Sequence, residues 1–398
     1  MKHQTLGHLN FLELASITGV ALGLPAMVIG GQLAKQYGAG AALIAIFVGN
    51  FVLWLIGLGI ITMAQKGDAI ENVETHLGKK SAVFAALILV LAFIVWYALQ
   101  VEGVAVATDT LLPTYTQLEV GIALGLLVAF LSLGGLRLIK WVCIIGLPLL
   151  LLFAIYASFV AKQPVVFAGT WKLSFPAILS VVLLWLAGIV NLPTFFRFSP
   201  SRPDSVLALS LMTIFHMLFQ IFTILIGLDV PAAIATLAGK IPTILLLAFA
   251  LLAYLCINLP NIYFASAGWS MIFPQHRDGK LSLLIVGLLG TVVYALVEPH
   301  FPLEFLRIAV TGFITSLGVV LIIDMLVRIA ATHRPKRLEN VMSSVCWLAG
   351  CVATLIVQFL YPSNDTMAIV AGISASSVAF LVFIFIEETL WSIKKLAD

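Results

Sequence analysis

Apolar runs, each long enough to cross a membrane, follow one another along almost the entire chain and are separated by short polar segments. A run of about 20 apolar residues spans a bilayer core of roughly 30 Å as an α-helix. The pattern therefore predicts an all-α polytopic membrane protein with twelve transmembrane helices. We place these spans at 11–33, 41–64, 81–108, 119–136, 139–161, 175–196, 205–228, 243–269, 281–297, 303–329, 341–361 and 366–391.

Spans 1 and 6 are interrupted in the same way. Span 1 contains ITGVALGLPAMVIGG and span 6 contains WLAGIVNLPTFFRF, so each has Leu-Pro shortly after a glycine. Proline removes a backbone donor and clashes with the preceding turn, and in lipid the carbonyls that it frees need other partners. Pro193 lies in span 6, five spans after span 1 with Pro25, and because five is odd the second copy enters the membrane from the opposite side. This arrangement is typical of an inverted repeat.

The matched breaks predict a five-plus-five organisation. Residues 1–165 form the first five-helix repeat, residues 166–332 the inverted second repeat, and residues 333–398 the last two spans with a cytoplasmic C-terminus. A single proline such as Pro148 only kinks a helix when neighbouring helices supply the missing partners. Two matched breaks instead favour a secondary transporter, because loose carbonyls hold a cation and half-helix N-termini hold polar substrate atoms near the midplane.

Composition and charge agree with a membrane protein. Of the 398 residues, 62% are hydrophobic and 10% are charged, against about 25% charged in soluble domains. Only five of the 21 Lys and Arg residues lie in odd-numbered loops, so the positive-inside rule places both termini in the cytoplasm, at the inner (plasma) membrane. Glu13 near the start of the first run argues against a cleaved signal. The net charge of +3 forms no basic patch, which argues against nucleic acid as a partner.

Span 3 carries a candidate substrate surface. Trp96 and Gln100 are four residues apart and therefore share one helical face. An indole face beside an amide that both donates and accepts suits a flat heterocycle. The alternative, a tryptophan in an interfacial belt, is disfavoured because Trp96 lies near mid-span. Trp185 approaches the break in span 6, so two indoles on opposed helices could sandwich a planar ring.

Other polar residues inside the spans have two interpretations each. Asn258 and Asn261 flank a proline in span 8, where they either form hydrogen bonds between helices or recognise the edge of a ring. Glu102 lies about 200° around the helix from Gln100 and is expected to face away from it, as a proton-coupling site or as the partner of a neighbouring span. Asp324 in span 10 is expected to form a structural ion pair with Arg328, four residues later.

Enzyme chemistry finds no support along the chain. The loop 66–80, KGDAIENVETHLGKK, is predicted to be a cytoplasmic surface segment in which His76 is solvated. The seven histidines are scattered, and no Ser/His/Asp set or nucleotide loop occurs. The four cysteines have no metal-binding or redox spacing and are predicted to be buried small hydrophobes. We therefore expect a transport protein rather than an enzyme, with no cofactor apart from Na⁺ or H⁺ as a coupling ion.

Three stretches resemble the nucleobase:cation symporter-1 family, which includes purine–cytosine permeases and the hydantoin, allantoin and thiamine-precursor transporters. WLAGIVNLPTFFRFSPS is similar to the family's Trp-x5-Asn-Ile-Pro-Asp-Phe-x-Arg-Phe/Tyr pattern at the end of span 6. NLPNIYFASAGWSMIF resembles its span 8, and GLPAMVIGGQLAKQYGAGAALIAIFVGN its spans 1 and 2. The resemblance covers essentially the whole chain and implies the leucine-transporter fold: twelve spans, ten of them in a five-plus-five inverted repeat.

The resemblance also implies roles for individual residues. Trp96 would stack on the substrate, Gln100 would hydrogen-bond to it, and Trp185 would cover its other face beside Gly188. Asn258 or Asn261 would read the ring edge. A sodium ion would lie between two carbonyls of span 1 and one of span 8. The matching carbonyls are those of Ala21, Leu24 and Ala253.

This chain departs from the family pattern at the implied sodium site. The two span 8 positions that are hydroxylic in sodium-coupled members are Cys256 and Ile257. A thiol is a poor sodium ligand and isoleucine offers no side-chain ligand, so proton coupling and a relocated cation are the alternatives. Thr194 stands where the family usually has Asp, and Leu184 where many members have a small residue. Substrate identity therefore does not transfer from any one member.

Taken together, the sequence predicts a monomeric cation-coupled importer of a nucleobase or related planar heterocycle in the lipid bilayer. Spans 1, 2, 6 and 7 would rock against spans 3, 4, 8 and 9 during alternating access. A carrier of amino acids or another small solute with the same fold is the first alternative, which the two indoles disfavour. A membrane enzyme or receptor without transport is the second, and the matched helix breaks disfavour it.

Overall fold

A computed structural model describes residues 8–64, 67–112, 115–161, 165–226, 237–276, 279–297, 300, 303–330, 336–362 and 364–397. These residues are mainly helical, and no strand occurs among them. The α-helices are α1 Phe11–Gly23, α2 Met27–Tyr37, α3 Ala39–Ala64, α4 Ala69–Leu77, α5 Lys79–Leu111, α6 Gln117–Leu131, α7 Gly135–Ala161, α8 Phe175–Val190, α9 Pro193–Phe196, α10 Arg202–Ile226, α11 Thr243–Ile272, α12 Lys280–Leu296, α13 Leu303–Ala330, α14 Lys336–Leu360 and α15 Asp365–Ala397.

The described part of the chain contains eight helices that are long and apolar enough to cross a membrane, or nine when α1 and α2 are taken as one bent span. The chain is therefore an all-α multi-pass membrane protein, as predicted. The count of twelve further requires α8 and α12 to cross and the continuous segment Gln117–Val160 to make two passes. Its 44 residues are long enough for two passes, since one needs about 20. The exact number of spans remains a prediction.

The first predicted break occurs where the sequence places it. α1 ends at Gly23, and α2 begins at Met27 after a bend of 48°. The carbonyl of Ala21 loses its helical donor because the residue four positions later is Pro25, which has no N–H. The Met27 N–H reaches back only to the Leu24 carbonyl, at 3.1 Å. The proline thus leaves loose carbonyls at the centre of span 1.

The second break is a tight turn rather than a wide bend. α8 ends at Val190, and the one-turn helix α9 begins at Pro193. The Asn191 N–H bonds the Gly188 carbonyl at 3.1 Å, while the Asn191 side-chain amide takes the Ala187 carbonyl at 2.9 Å. The asparagine thereby supplies a donor that the interrupted helix would otherwise lack. A side chain on Gly188 would lie 2.7 Å from Leu22, so the two interrupted spans meet here.

The helices pack in two groups. In the first group, α1 and α2 pack along α10, while α3 packs on both α8 and α10. In the second, α5 packs on α6, α11 and α12, and α6 packs on α12. The C-terminal helices α13, α14 and α15 pack on one another. These groups correspond to spans 1, 2, 6, 7 and spans 3, 4, 8, 9; the division of the chain into repeats at 165 and 332 remains a prediction.

Glycines let α1 and α2 approach α10 closely. A Cβ at Gly19 would lie 3.0 Å from the Phe215 ring, and one at Gly23 would lie 3.0 Å from His216. The approach is tightest at Gly30, where a Cβ would lie 1.9 Å from the carbonyl oxygen of Gln220. Small residues allow such contact between backbones in membranes, where no hydrophobic effect drives helices together. The contact continues on both sides of the break in span 1.

Two ion pairs, which we call the N-terminal ion pairs, connect helix ends at the end of the bundle where α1 begins. Arg197, just after α9, contacts Asp68 at 2.9 Å, and Lys140 of α7 contacts Glu13 of α1 at 3.1 Å. Asp68 is also the N-cap of α4, since one of its oxygens accepts the Glu71 N–H at 2.9 Å. Both oxygens of this carboxylate therefore have partners, one in α4 and one at the end of span 6.

The prediction that His76 is solvated was wrong. The loop folds into helix α4, and the His76 side chain is buried with its Nδ1 2.6 Å from an Asp324 oxygen. Ser343 of α14 lies 3.3 Å from the other Asp324 oxygen. Asp324 therefore contacts His76 of α4, whereas the sequence led us to expect a pair with Arg328. The Arg328 side chain lies outside the described residues. Because the partners are far apart in sequence, helical spacing gave no sign of this contact.

Candidate functional site

A cavity of about 500 Å³ lies between α2, α5, α7, α10 and α11. It reaches from the break in span 1, at Leu24 and Pro25, to Thr110 and Leu111 near the end of α5. It therefore occupies the half of the bundle opposite the N-terminal ion pairs. Most of its lining is apolar, and the main polar lining residues are Gln100, Glu102, Thr110, Thr223 and Tyr254.

The cavity brings together some of the predicted site residues. Gln100, Leu24 and Ala253 all line it. The remaining candidates do not belong to its lining: Ala21, Trp96, Trp185, Gly188, Asn258 and Asn261. Their assignment as substrate and ion ligands remains a prediction.

The expectation that Glu102 faces away from Gln100 was wrong, because both side chains line the same cavity. Nine of the thirteen residues from Leu99 to Leu111 contribute to the lining. The cavity therefore borders more than one face of α5, and an angular separation on the helix does not separate the two side chains. Glu102 thus belongs to the candidate site.

Trp185 has a ring partner that the sequence did not reveal. Its indole stacks on the imidazole of His216 in α10, with ring centroids 4.5 Å apart and planes 11° from parallel. Both side chains are buried, and neither the indole N–H nor the His216 Nε2 has a hydrogen-bond partner among the described residues. One face of the predicted stacking platform is therefore occupied by a protein side chain.

His216 could have been noticed in the sequence as a polar residue inside an apolar span. It lies four residues before Gln220, on the same face of span 7. Gln220 is buried too and accepts a hydrogen bond from Asn50 at 2.7 Å. Two polar side chains at this spacing in a membrane helix indicate a polar contact surface. Only the fold shows that His216 meets span 6 and that Gln220 meets span 2.

Asn258 has an unmet hydrogen-bonding capacity. Its amide nitrogen donates to the Tyr254 carbonyl of the same helix at 3.2 Å, while its amide oxygen has no partner among the described residues. The side chain is fully buried, and Asn261 is buried as well. A buried acceptor without a donor costs about 1–3 kcal/mol. Within the described residues Asn258 makes no bond to another helix, so its amide oxygen is a candidate acceptor for a ligand donor.

An aromatic cluster that includes Trp96 packs across the bundle. Trp96 is half-buried and meets the Phe93 ring edge-on at 5.0 Å, and Phe93 stacks on Phe264 of α11 at 4.8 Å. Phe195 of α9 contacts Phe264 at 4.8 Å and stacks on Tyr263 at 5.0 Å. These five residues, the aromatic cluster, join spans 3, 6 and 8 between the cavity and the N-terminal ion pairs.

The implied sodium site is only partly built. Leu24, Ala253 and Ile257 line the cavity together, so isoleucine occupies the place where a hydroxyl would be needed. Cys256 points elsewhere, with its Sγ 3.7 Å from the Val142 carbonyl of α7. The carbonyls of Leu24 and Ala253, with no hydroxyl ligand beside them, fall short of the roughly six to eight oxygens that a hard cation such as Ca²⁺ takes. Among the described residues, no group of three or more His, Cys, Asp or Glu side chains is arranged to hold a metal ion.

The thiol of Cys143 compensates for a proline. Pro260 has no N–H and therefore cannot bond the Cys256 carbonyl within α11. The Cys143 Sγ donates to that carbonyl at 3.9 Å from α7. The Cys256 thiol in turn donates to the Val142 carbonyl of α7 at 3.7 Å. Cys143 and Cys256 thus join spans 5 and 8. All four cysteines are buried and free, as the sequence predicted for their burial.

Solved transporter structures share this arrangement over nearly the whole chain. The nucleobase-cation-symport-1 family transporter Mhp1, in a closed conformation with bromovinylhydantoin bound, matches with a TM-score of 0.66 at 18% identity, covering 95% of this chain and 93% of Mhp1. A Na⁺-coupled sialic acid symporter in a substrate-bound outward-open state matches with a TM-score of 0.71 at 14% identity, covering 94% and 89%. A mutant of the manganese transporter of Eremococcus coleocola matches with a TM-score of 0.66 at 12% identity, covering 94% and 93%.

Sequence comparison adds no further relative: no protein-family model and no curated protein sequence matches this chain. The similarity to the solved structures therefore lies in the path of the backbone, which is conserved far beyond sequence identities of 12–18%. The predicted fold class is confirmed: this chain has the leucine-transporter fold of Mhp1 and these other membrane transporters.

Proposed function

We propose that this protein is a secondary active transporter that imports a planar heterocycle, such as a nucleobase or a related ring, together with a cation. The carrying observation is the cavity, which lies between the two helix groups and ends at Gln100 and the break of span 1. The aromatic cluster and the ion pairs close the opposite end. A site reached from one end and sealed at the other is what alternating access requires.

The direction of transport follows from the predicted orientation. If both termini lie on the cytoplasmic side of the inner membrane, the cavity faces the outside and the aromatic cluster faces the cytoplasm. The structure would then represent an outward-facing state of a monomer. The hydantoin bound to Mhp1 supports a planar ring as substrate.

A carrier of a non-aromatic solute is the second candidate, and one observation favours it. The imidazole of His216 covers one face of Trp185, so the predicted sandwich between two indoles is half-filled by the protein itself. The fold also occurs in transporters of sialic acid and manganese. Aliphatic amino acids therefore belong in the same substrate screen.

The proposal is tested by screening ligands against purified protein. Cytosine, uracil, purines, hydantoins and thiamine precursors would be compared with aliphatic amino acids by thermal shift, followed by uptake into proteoliposomes. We expect at least one planar heterocycle to stabilise the protein and to be taken up. Trp96→Ala should abolish this stabilisation, whereas Trp141→Ala, which removes an indole exposed on α7, should leave it intact. Stabilisation by amino acids alone would overturn the proposal.

Sodium should have little influence on ligand binding. Ile257 offers no oxygen ligand and Cys256 faces α7, so exchange of sodium for potassium should change the ligand affinity by less than about twofold, well under 1 kcal/mol. The measurement is a ligand titration in matched NaCl and KCl buffers. A large loss of affinity in potassium would show that the cation is held by other residues.

A further inference from the structure

The cavity is larger than a bare planar ring requires. Its volume of about 500 Å³ lies within the range of about 300–1,000 Å³ in which pockets enclose drug-sized ligands. From Gln100 to Thr110, which both line it, α5 rises by about 15 Å. A single-ring nucleobase held by Gln100 would therefore leave the part of the cavity beyond it unfilled. We call this part, which runs along α5 from Gly103 to Leu111, the upper chamber.

The wall of the upper chamber is formed mainly by apolar side chains. Phe153 of α7 and Phe249 of α11 stack with their ring centroids 4.0 Å apart, and both line the cavity. At the Leu111 end, the wall continues into a separate cluster of buried apolar residues, of which four line the cavity: Ala157, Ile226, Leu237 and Leu246. Such a wall favours an apolar ligand group, because burial removes apolar surface from water.

The polar side chains of this wall are already engaged by the protein. The Thr110 hydroxyl donates to the Val106 carbonyl of its own helix at 2.9 Å. Glu102, at the border of the upper chamber, has an interaction partner as well. Towards the other end of the cavity, Thr223 bonds the Met27 carbonyl beside the break of span 1, and Gln100 contributes its amide. The cavity thus has a polar end for a ring and an apolar end beyond it.

Gly103 leaves space in the upper chamber. It lies in the interior of α5 and lines the cavity, and a Cβ built on it would meet no described atom within 4 Å. Glycines of the neighbouring helix α6 differ, since a Cβ at Gly121 would lie 2.3 Å from Tyr294 and one at Gly125 would lie 2.6 Å from Thr291. Glycine weakens a helix relative to alanine, and close packing of helices does not explain it at Gly103. Close approach of a ligand to the backbone does explain it.

The space at Gly103 and the two stacked rings lie at matched depth. Gly103, Phe153 and Phe249 each lie about 9–12 Å from the end of their own helix at this end of the bundle. They therefore border the same part of the cavity. A further aromatic ring placed there would gain the edge-on or offset contacts that aromatic pairs prefer, in addition to the burial of its area.

We propose that the substrate is a planar heterocycle with a bulky apolar substituent, such as a benzyl group, and that this substituent fills the upper chamber beside Gly103. The inference rests on the proposed transport function and narrows its substrate class. Gln100 bonds the polar ring, Phe153 and Phe249 cover the substituent, and Gly103 leaves room for it. A bare ring gains only the first of these contacts.

Matched pairs of probes isolate the substituent. Uracil is compared with 5-benzyluracil, and adenine with N6-benzyladenine, so that the heterocycle stays the same within each pair. We expect purified protein to bind the benzyl member of at least one pair about tenfold or more tightly, because a phenyl group is transferred from water into an apolar wall. Isothermal titration with each probe measures the affinity ratio within a pair.

A filled chamber assigns the preference to this part of the cavity. Gly103→Leu places a side chain where the benzyl group would lie, so the affinity ratio should fall close to one. Ala123→Leu is the matched control, because Ala123 is exposed on α6 and does not belong to the cavity lining. Its ratio should equal that of the unchanged protein. Both variants should fold, since Gly103 faces open space and leucine forms helices better than glycine.

Two outcomes would overturn the inference. One is equal binding of the bare and benzyl members of both pairs by the unchanged protein, which decides even without a variant. The other is a preference for the benzyl member that survives Gly103→Leu. If bare rings are taken up into proteoliposomes while substituted rings do not bind, the transport function stands and only the substituent is wrong. If no ring of either kind binds, the transport proposal itself fails.

Discussion

Gly30→Ala should prevent the accumulation of correctly folded protein. The added Cβ would lie 1.9 Å from the carbonyl oxygen of Gln220 and 2.6 Å from the Thr223 hydroxyl. The carbonyl belongs to the backbone of α10 and cannot rotate away, so α2 and α10 must separate. Separation would also break the hydrogen bond from Thr223 to the Met27 carbonyl. We expect a loss of at least about 3 kcal/mol, the upper part of the range for overpacked sites.

The measurement is the monodisperse yield and apparent melting temperature in detergent. Gly59→Ala in α3 is the matched control, because its Cβ would meet only the flexible end of Met325 at 3.6 Å. An alanine at this position should be neutral or slightly stabilising, since alanine restricts the unfolded chain more than glycine does. Equal yield and stability of the two variants would show that α2 and α10 are not in close contact.

Arg197→Met should destabilise the protein strongly at neutral pH. The substitution removes the partner of Asp68, whose side chain is only 11% exposed. Asp68 must then remain charged without compensation or take up a proton. We expect a loss of about 1–3 kcal/mol, between the values for exposed and for fully buried pairs. The melting temperature of the purified variant measures this loss.

A second substitution shows whether the charge is responsible. Asp68→Asn removes the buried charge but keeps an oxygen that can cap α4, so the double variant should recover part of the stability that Arg197→Met loses. If the effects of the two substitutions simply add, the pair makes no energetic contribution.

Acid should have the same effect as Asp68→Asn, because protonation also removes the negative charge of Asp68. Burial already raises the pKa of Asp68 above its usual value of 3.8, and the Arg197 charge opposes this rise. The folded protein therefore binds this proton more tightly than the unfolded chain does. The stability linked to it is fully present below the unfolded pKa and is lost as the pH rises through the folded pKa. Without Arg197 the folded pKa rises further, so Arg197→Met should lose more stability than the parent as the pH rises from acid to neutral.

The sequence predicted those features that depend on neighbouring residues. Apolar runs determined the membrane helices, and Pro25 and Pro193 determined the breaks, because hydrophobicity and a missing N–H act within one or two turns. The fold class could therefore be predicted from the chain alone, while the exact number of spans could not.

The contents of the site were harder to predict because they depend on contacts between distant spans. His216 and Trp185 stack although they belong to different helices, and His76 finds Asp324 across 248 positions of the chain. Helical spacing gives the face on which a residue lies but not the helix that this face meets. The spacing of Gln100 and Glu102 misled for a similar reason, since the cavity borders both sides of α5.

The broken helix of span 1 has a mechanical consequence. α10 contacts both of its halves, at Gly19 and Gly23 before the break and at Gly30 after it. Because one continuous helix, α10, packs on both halves of span 1, the angle at the break is fixed and the break does not act as a hinge. Any rocking motion must move the whole of span 1 together with α10 as one rigid unit. The hinge positions must then lie in the segments that connect this unit to the neighbouring helices.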